Sequence, residues 1–245
     1  MRDVVFMTSP SRRLRGGGWM QDDILNDQLT YYRARASEYD ESLQGRRRFL
    51  GDEASTTIQQ ELARVRQALH DLGRFDEVLE LACGTGTWTR ELLRVGTRIT
   101  ALDGSPEMLA IARANVDNAA VEFLCADIFA WKPTTQFDLV MFAGWISHVP
   151  PDRLDGFLDK VRDAVRPGGR VFLVDEPAGG REFSGAVEAG MYQTRSIRDG
   201  RAFRIIKVYY DPLVLRDTLE QHGFDSATAD AGEYFFHVTG SRSRI

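Results

Sequence analysis

One short segment limits the fold of this chain more than any other: an apolar run that ends at two glycines and continues as a helical pattern. The run Val78–Cys83 is followed by Gly84 and Gly86, and a helix candidate, Thr87–Val95, begins directly after them. Glycine permits a tight turn and lets a ligand approach the backbone closely. A Gly-x-Gly turn alone is weak evidence, but a strand before it and a helix after it are typical of nucleotide- and nucleoside-binding α/β proteins.

The rest of the chain repeats this alternation of short apolar runs and helices. The apolar runs are Val78–Cys83, Arg98–Asp103, Ala120–Asp127, Phe137–Gly144 and Arg170–Glu176, and the helix candidates between them are Thr87–Val95, Pro106–Val116 and Asp152–Val165. Such strands indicate a parallel sheet that is covered on both faces. Two later strands, Ala202–Tyr210 and Glu233–Thr239, flank a helix at Pro212–His222 and are expected to extend the sheet. We therefore predict an α/β fold: a three-layer, Rossmann-like sandwich with a seven-stranded, mostly parallel sheet and an antiparallel C-terminal strand.

The length of 245 residues suggests one elaborated domain, at about 150 residues per domain. Residues 1–19 are expected to form a flexible basic extension, and Met20 is a second candidate for the start of the chain. The domain would then occupy residues 20–245. Its predicted parts are an N-terminal helical cover (20–73), a ligand-binding core (75–176), a lid over the acceptor (177–200) and a C-terminal region of strands and one helix (201–245).

Charge and cysteine content narrow the choice of partners. The 31 basic and 36 acidic side chains give a formal net charge of −5, which disfavours nucleic acid and anionic membranes as partners. No apolar run approaches the roughly 20 residues that span a bilayer. Cys83 and Cys125 are too few for a disulfide framework or a zinc site, so we expect a cytoplasmic protein, with Cys83 in the glycine turn and Cys125 on a buried strand. We expect no metal, because Asp175 and Glu176 lack a second acidic cluster at ligand spacing.

Acidic residues at the strand ends indicate the kind of ligand. Asp103 follows Gly86 by 103 − 86 = 17 residues and ends the second predicted strand, where a carboxylate can accept from both ribose hydroxyls. Asp127 ends the third strand, followed by apolar Ile128, and suits the edge of an aromatic base. Glu80 precedes the glycine turn and would repel a diphosphate but attract an amino group. An adenosine that carries an amino acid fits this pattern better than a dinucleotide.

On these residues the chain resembles the class I S-adenosylmethionine-dependent methyltransferases of small molecules. The resemblance rests on Glu80-Leu-Ala-Cys-Gly84-Thr-Gly86, Ala101-Leu-Asp103-Gly-Ser-Pro-Glu-Met108, Cys125-Ala-Asp127-Ile128, Phe137-Asp-Leu-Val and Arg166-Pro-Gly-Gly-Arg170. It implies S-adenosyl-L-methionine as the cofactor and S-adenosyl-L-homocysteine as the product. The family also implies a role for an N-terminal helix that covers the cofactor, here Tyr31-Tyr32-x-x-Arg35-x-x-x-Tyr39-Asp40. Ordinary packing of an amphipathic helix would explain these tyrosines equally well.

The resemblance implies which residues of the predicted site contact each part of the cofactor. Glu80 and the turn of Gly84, Thr85 and Gly86 are expected to hold the methionine part, Asp103 the ribose hydroxyls, and Met108, Asp127 and Ile128 the adenine. Tyr32, Arg35 and Tyr39 are expected near the carboxylate or methyl group. Further expected cofactor contacts are Cys83, Gly104, Ser105 and Phe142. Ser105 is also the best candidate for the N-cap of the following helix.

His148 is the expected general base of the reaction. It lies in the loop after the fourth strand, which faces the transferred methyl group in this family, and histidine has a suitable pKa. Trp145, Tyr192 and Arg195 are the candidate acceptor contacts. We therefore predict methyl transfer to a hydroxyl group of a sugar, a phenol or another natural product, with His148 merely shaping the pocket as the alternative.

Other readings stay open at this stage. N- or C-methylation is the alternative within the class, and an NAD(P)-binding oxidoreductase or a non-catalytic nucleoside-binding protein is the alternative outside it. RNA methylation is disfavoured, since Gly144-Trp-Ile-Ser147 follows the fourth strand in place of an Asn/Asp-Pro-Pro-Tyr/Phe tetrapeptide. A homodimer through the N-terminal helices or the lid is compatible with the sequence.

Overall fold

The computed structural model describes residues 21–41, 51–177 and 191–244. The predicted extension at 1–19 and most of the predicted lid at 177–200 lie outside these residues. The helices are α1 (Gln21–Arg35), α2 (Gly51–Asp71), α3 (Thr87–Leu92), α4 (Pro106–Asn115), α5 (Pro151–Ala164) and α6 (Pro212–Gln221), with 3-10 turns at Ala36–Glu38 and Ile146–His148. The strands are β1 (Phe75–Leu81), β2 (Gly96–Asp103), β3 (Val121–Cys125), β4 (Phe137–Ala143), β5 (Val165–Asp175), β6 (Tyr192–Ser196), β7 (Ala202–Ile206), β8 (Phe224–Ala231) and β9 (Phe236–Arg242).

Seven of these strands form one sheet in the order β3-β2-β1-β4-β5-β9-β8. Strands β1 to β5 pair in parallel, and β9 pairs antiparallel with both β5 and β8. The predicted fold class is therefore confirmed: the sheet has seven strands, is mostly parallel and contains one antiparallel C-terminal strand. All five parallel strands carry their carboxyl ends to the same edge, where open α/β sheets bind ligands.

Apolar side chains on both faces of the sheet account for its burial. One cluster combines β1, β4 and β5 with α5 and α6, through side chains such as Phe142, Phe157 and Leu219. The other combines the same strands with α2, α3 and α4, through Leu69, Leu92 and Leu109. This double burial explains why the central strands are continuous apolar runs in the sequence.

The strands near the C-terminus differ from the prediction in two respects. The strand predicted at Ala202–Tyr210 is shorter and leaves the main sheet, because β7 pairs antiparallel with β6 in a separate hairpin. That hairpin packs on α1 through Tyr31, Ile197 and Ile205. The place in the main sheet belongs to β8, which the sequence analysis missed because Phe-Asp-Ser-Ala-Thr-Ala-Asp-Ala has few large apolar residues. An edge strand needs fewer of them than a central one.

The prediction that Cys125 is buried was wrong. Cys125 is exposed, whereas Cys83 is buried. Strand β3 forms the edge of the sheet, so its side chains have a neighbouring strand on one side only. Cys83 lies in the turn directly after β1, which occupies the middle of the sheet.

Helix α2 of the N-terminal cover is hydrogen-bonded to the loop between β8 and β9. The buried carboxylate of Glu61 accepts hydrogen bonds from three successive backbone N–H groups, those of Glu233, Tyr234 and Phe235, at 2.8 to 3.0 Å. Ile58 and Leu62 pack against Tyr234 and Phe235 beside this contact. None of the helices in the described parts of the chain combines the length and the apolar character needed to cross a membrane.

Candidate active site

A cavity of about 370 Å³ opens at the carboxyl ends of β1, β2 and β4. Half of the predicted cofactor and acceptor residues line it, together with His148. Its lining residues are Leu25, Asn26, Gln28, Leu29, Tyr32, Tyr39, Ala82, Gly84, Asp103, Gly104, Met108, Asp127, Ile128, Phe129, Ala143, Gly144, Trp145, His148 and Arg153. The cavity is therefore built by the strand ends, by the loop after β4 and by α1.

The glycine turn between β1 and α3 forms one wall of this cavity. Gly84 and Gly86 have φ angles of 54° and 84°, which favour glycine. A side chain at Gly86 would also collide with Val116, whose Cγ2 would lie 2.9 Å from the added Cβ. At Gly84 the same construction meets no atom within 4 Å, so a bound ligand can approach this backbone directly.

Asp103 connects the end of β2 to the glycine turn. Its carboxylate accepts the N–H of Gly84 at 2.9 Å and that of Ser105 at 2.8 Å. Burial raises the pKa of Asp103, and the backbone N–H groups act in the opposite direction. Each carboxylate oxygen has a second lone pair, so Asp103 can accept two further hydrogen bonds, as the two hydroxyls of a ribose would require.

Glu80 lies behind the turn and not on the cavity wall. Its buried carboxyl accepts a hydrogen bond from the Thr89 hydroxyl of α3. Burial raises the pKa of Glu80 to about 8; the Thr89 hydrogen bond opposes this effect and the nearby Asp103 adds to it. The carboxyl is thus held beneath the turn in a protonated state at neutral pH in this structure.

Thr85 ties the turn to the cover and to α4. Its hydroxyl donates to Asp40 at 2.8 Å, and its carbonyl accepts from Asn115 at 3.0 Å. Ser105 caps α4 as expected, since its hydroxyl accepts the N–H of Met108 at 3.1 Å. Cys83, Thr85, Gly86 and Ser105 therefore shape the turns around the cavity without lining it.

The side of the cavity at the β3 end is formed by Met108, Asp127, Ile128 and Phe129. One oxygen of Asp127 accepts the N–H of Phe129 at 2.9 Å, which fixes the orientation of the carboxylate. Met108 and Ile128 are almost fully buried. This side of the cavity therefore combines apolar side chains with one oriented carboxylate.

A hydrogen bond between Tyr32 and His148 closes the other side. The Tyr32 hydroxyl lies 2.8 Å from Nε2 of His148, and Nδ1 lies 2.6 Å from the carbonyl oxygen of Ile206. A carbonyl oxygen only accepts, so Nδ1 carries the proton and Nε2 accepts from Tyr32. Two elements remote in sequence, α1 and the hairpin, therefore fix the tautomer of this histidine.

Burial and neighbouring cations keep His148 neutral. Its pKa lies well below the ordinary value because the ring is buried and because Lys207 and Arg195 are close. Burial also raises the pKa of Tyr32, and Arg195 opposes that effect. Lys207 itself donates to Ser147 at 3.1 Å and to Glu176 at 3.0 Å.

Several predicted residues lie away from the cavity. Phe142 packs edge-on against Phe157 in the core, at 5.3 Å between ring centroids. Arg35 is buried and donates to the Tyr31 hydroxyl at 2.7 Å. Arg195 donates to Gln193 at 2.8 Å, and Arg204 lies over the ring of Tyr192 at 4.2 Å. These side chains support the elements around the site instead of forming its wall.

Other wall residues were missing from the sequence analysis. They are Leu25, Asn26, Gln28 and Leu29 on α1, and Gly144 and Arg153 on either side of the 3-10 turn at 146–148. The helical period of α1 placed Leu25 and Leu29 on one face, but nothing local indicated which structure that face contacts. Within the described ranges, no group of three or more His, Cys, Asp or Glu side chains is arranged to hold a metal ion.

The strand order and the cavity define a Rossmann-like protein with a ligand site at the carboxyl edge of its sheet. A family model described as a methyltransferase domain matches residues 78–169. Two solved structures, described as a DhpI–SAM–HEP complex and a DhpI–SAH complex, are 40% and 37% identical to this chain. They cover 90% and 92% of it, and it covers 99% and 100% of them, with TM-scores of 0.74 and 0.71. The chain belongs to the class I S-adenosylmethionine-dependent methyltransferases.

More distant relatives that are also named as methyltransferases match shorter stretches of this chain. A ubiquinone biosynthesis O-methyltransferase from Rhodopseudomonas palustris is 25% identical over 69% of this chain and 65% of its own length. A trans-aconitate 2-methyltransferase from Streptomyces avermitilis is 35% identical over 44% of this chain and 40% of its own length. The chain thus spans less than two thirds of these curated relatives. Membership of the family decides against the NAD(P)-dependent oxidoreductase.

Proposed function

We propose that this protein transfers the methyl group of S-adenosylmethionine to an oxygen atom of a small-molecule acceptor. The observation that carries the proposal is the hydrogen bond between Tyr32 and His148 on the wall of the same cavity that Gly84 and Asp103 line. The sulfonium of the cofactor makes the methyl group electrophilic. The protein then has to align an acceptor and exclude water.

The cavity suits this cofactor in several respects. Gly84 leaves room for a ligand at the turn, Asp103 has lone pairs for the ribose hydroxyls, and Met108 with Ile128 offers an apolar slot for adenine. We assign the methionine part to the turn at 83–86, with Glu80 beneath it. The position of Glu80 behind the turn makes its contact with the cofactor indirect in this arrangement.

Tyr32 and His148 can remove the acceptor proton together. Since Nε2 of His148 already accepts from Tyr32, an acceptor hydroxyl in the cavity can donate to the Tyr32 oxygen while the Tyr32 proton moves to His148. The base is then His148, as the sequence analysis predicts, but it acts through Tyr32. General-base assistance of this kind contributes about 10²–10⁴-fold to a rate.

A second candidate is an acceptor whose oxygen is already ionised. Lys207 and Arg195 near His148 disfavour an imidazolium and favour an anion. One relative is named for trans-aconitate, and the related DhpI structure holds HEP beside SAM. Tyr32 and His148 would then orient the acceptor oxygen without taking a proton from it.

Kinetics with labelled cofactor separate these candidates. We would screen phenols, hydroxy acids and trans-aconitate for transfer of the methyl label, and then compare Tyr32→Phe and His148→Gln with the wild type. Proton removal predicts that kcat falls about 100-fold in both variants and that the wild-type rate shows a solvent isotope effect. An ionised acceptor predicts smaller losses and no isotope effect. A label found on nitrogen or carbon would contradict O-methylation and support the alternative.

We also propose roles for the three predicted acceptor contacts. Trp145 lines the cavity and is our candidate for a direct acceptor contact. Tyr192 and Arg195 do not line the cavity and would affect acceptor binding only through the position of the β6–β7 hairpin. A cytoplasmic location, the lid at 177–200 and a homodimer stay predictions.

A further inference from the structure

Lys160 on α5 holds the loop that follows β3. Its ammonium group donates to the carbonyl oxygens of two successive residues, Ile128 at 2.7 Å and Phe129 at 2.6 Å. Lys160 itself is half-buried and does not line the cavity. Both hydrogen bonds have a charged donor, and such charge-assisted hydrogen bonds are stronger than those between neutral groups.

These bonds act on Asp127 through the peptide unit between them. The N–H of Phe129 donates to the Asp127 carboxylate, and the carbonyl of Ile128, which belongs to the same peptide unit, accepts from Lys160. The carbonyl of Asp127 accepts from Ala130 and Trp131 at 3.1 and 2.7 Å. The direction of the Asp127 carboxylate thus depends on a turn that Lys160 fixes from outside the cavity.

We propose that Lys160 is a positioning residue that makes the site selective for adenine over other purine bases. The inference rests on the proposed placement of the base beside Asp127. An ionised carboxylate accepts from the 6-amino group of adenine but repels the 6-oxo group of hypoxanthine. This discrimination requires a carboxylate that cannot turn away, and Lys160 supplies that restraint.

The test is calorimetric titration of S-adenosylhomocysteine and of S-inosylhomocysteine, its hypoxanthine counterpart, without any acceptor. We expect the wild type to bind the adenosyl compound more tightly. Lys160→Met keeps the length of the stem but removes the donors, and should weaken adenosyl binding about tenfold while changing inosyl binding much less. Lys160→Arg can still donate to both carbonyls and should restore most of the preference.

Arg90→Met is the control, because it removes an exposed cation from α3 that does not line the cavity. It should leave both affinities unchanged. Equal weakening of both compounds in Lys160→Met, or an unchanged preference, would overturn the role of Lys160. A wild type without any preference would instead refute the placement of adenine beside Asp127, and the proposal with it. Neither result depends on which acceptor atom is methylated.

Discussion

At the scale of single residues, Glu80 makes the stability of the ligand-free protein depend on pH. Its pKa is about 8 in the folded state against an ordinary value of 4.5, so the folded chain keeps a proton that the unfolded chain releases. The stabilisation is therefore complete below about pH 4.5 and is lost as the pH rises towards 8.

Substitution of Glu80 by Gln removes this dependence. Between pH 6 and pH 8.5 we expect the Tm of the wild type to fall by about 5 °C relative to that of Glu80→Gln. Scanning calorimetry without cofactor measures the difference, with exposed Glu122→Gln as the control that should follow the wild type. Parallel Tm curves for the wild type and Glu80→Gln would show that Glu80 ionises normally in the folded state.

At the scale of elements, the hydrogen bonds of Glu61 hold helix α2 to the loop between β8 and β9. A glutamine at this position has one accepting oxygen and presents its amide hydrogens to the remaining backbone N–H groups. Glu61→Gln should therefore lower the free energy of unfolding by about 2 kcal/mol. Urea denaturation measures this change, again with Glu122→Gln as the exposed control. An unchanged midpoint would mean that the three N–H groups find other acceptors.

The elements that follow local rules are those that the sequence predicts well. Strand β1, the turn at Gly84 and Gly86, and the cap at Ser105 each carry their signal within a few residues. Strand β8 has no apolar periodicity, and β7 has the alternation of any strand, so neither pattern indicates which partner it pairs with. Pairing partners are set by contacts remote in sequence, such as Ile205 packing on Tyr31.

The same reason explains which parts of the site were missed. Asp103 and Asp127 follow from the rule that parallel strands end at one edge, and both line the cavity. The contribution of Gln28 and Leu29 depends on where α1 docks. The partner of His148 could not be predicted either, because Tyr32 lies 116 residues away in sequence.

At the scale of the whole molecule, two groups of structural elements form the cavity. The strand ends form the part assigned to the cofactor, whereas α1 and the loop after β4 form much of the part assigned to the acceptor, with the β6–β7 hairpin packed behind α1. Gln28 of α1 connects the loop after β4 to the hairpin, because its amide donates to the His148 carbonyl at 3.4 Å and accepts the N–H of Ile206 at 3.1 Å.

The central claim is that S-adenosylmethionine binds at the strand ends with its ribose on Asp103. Titration calorimetry of S-adenosylhomocysteine with the wild type and with Asp103→Asn tests it directly, with NADH as the competing ligand. We predict one site per chain in the wild type, affinity at least about tenfold weaker in the variant, and no heat from NADH. Heat from NADH but none from S-adenosylhomocysteine, or equal affinity in the two proteins, would contradict the account.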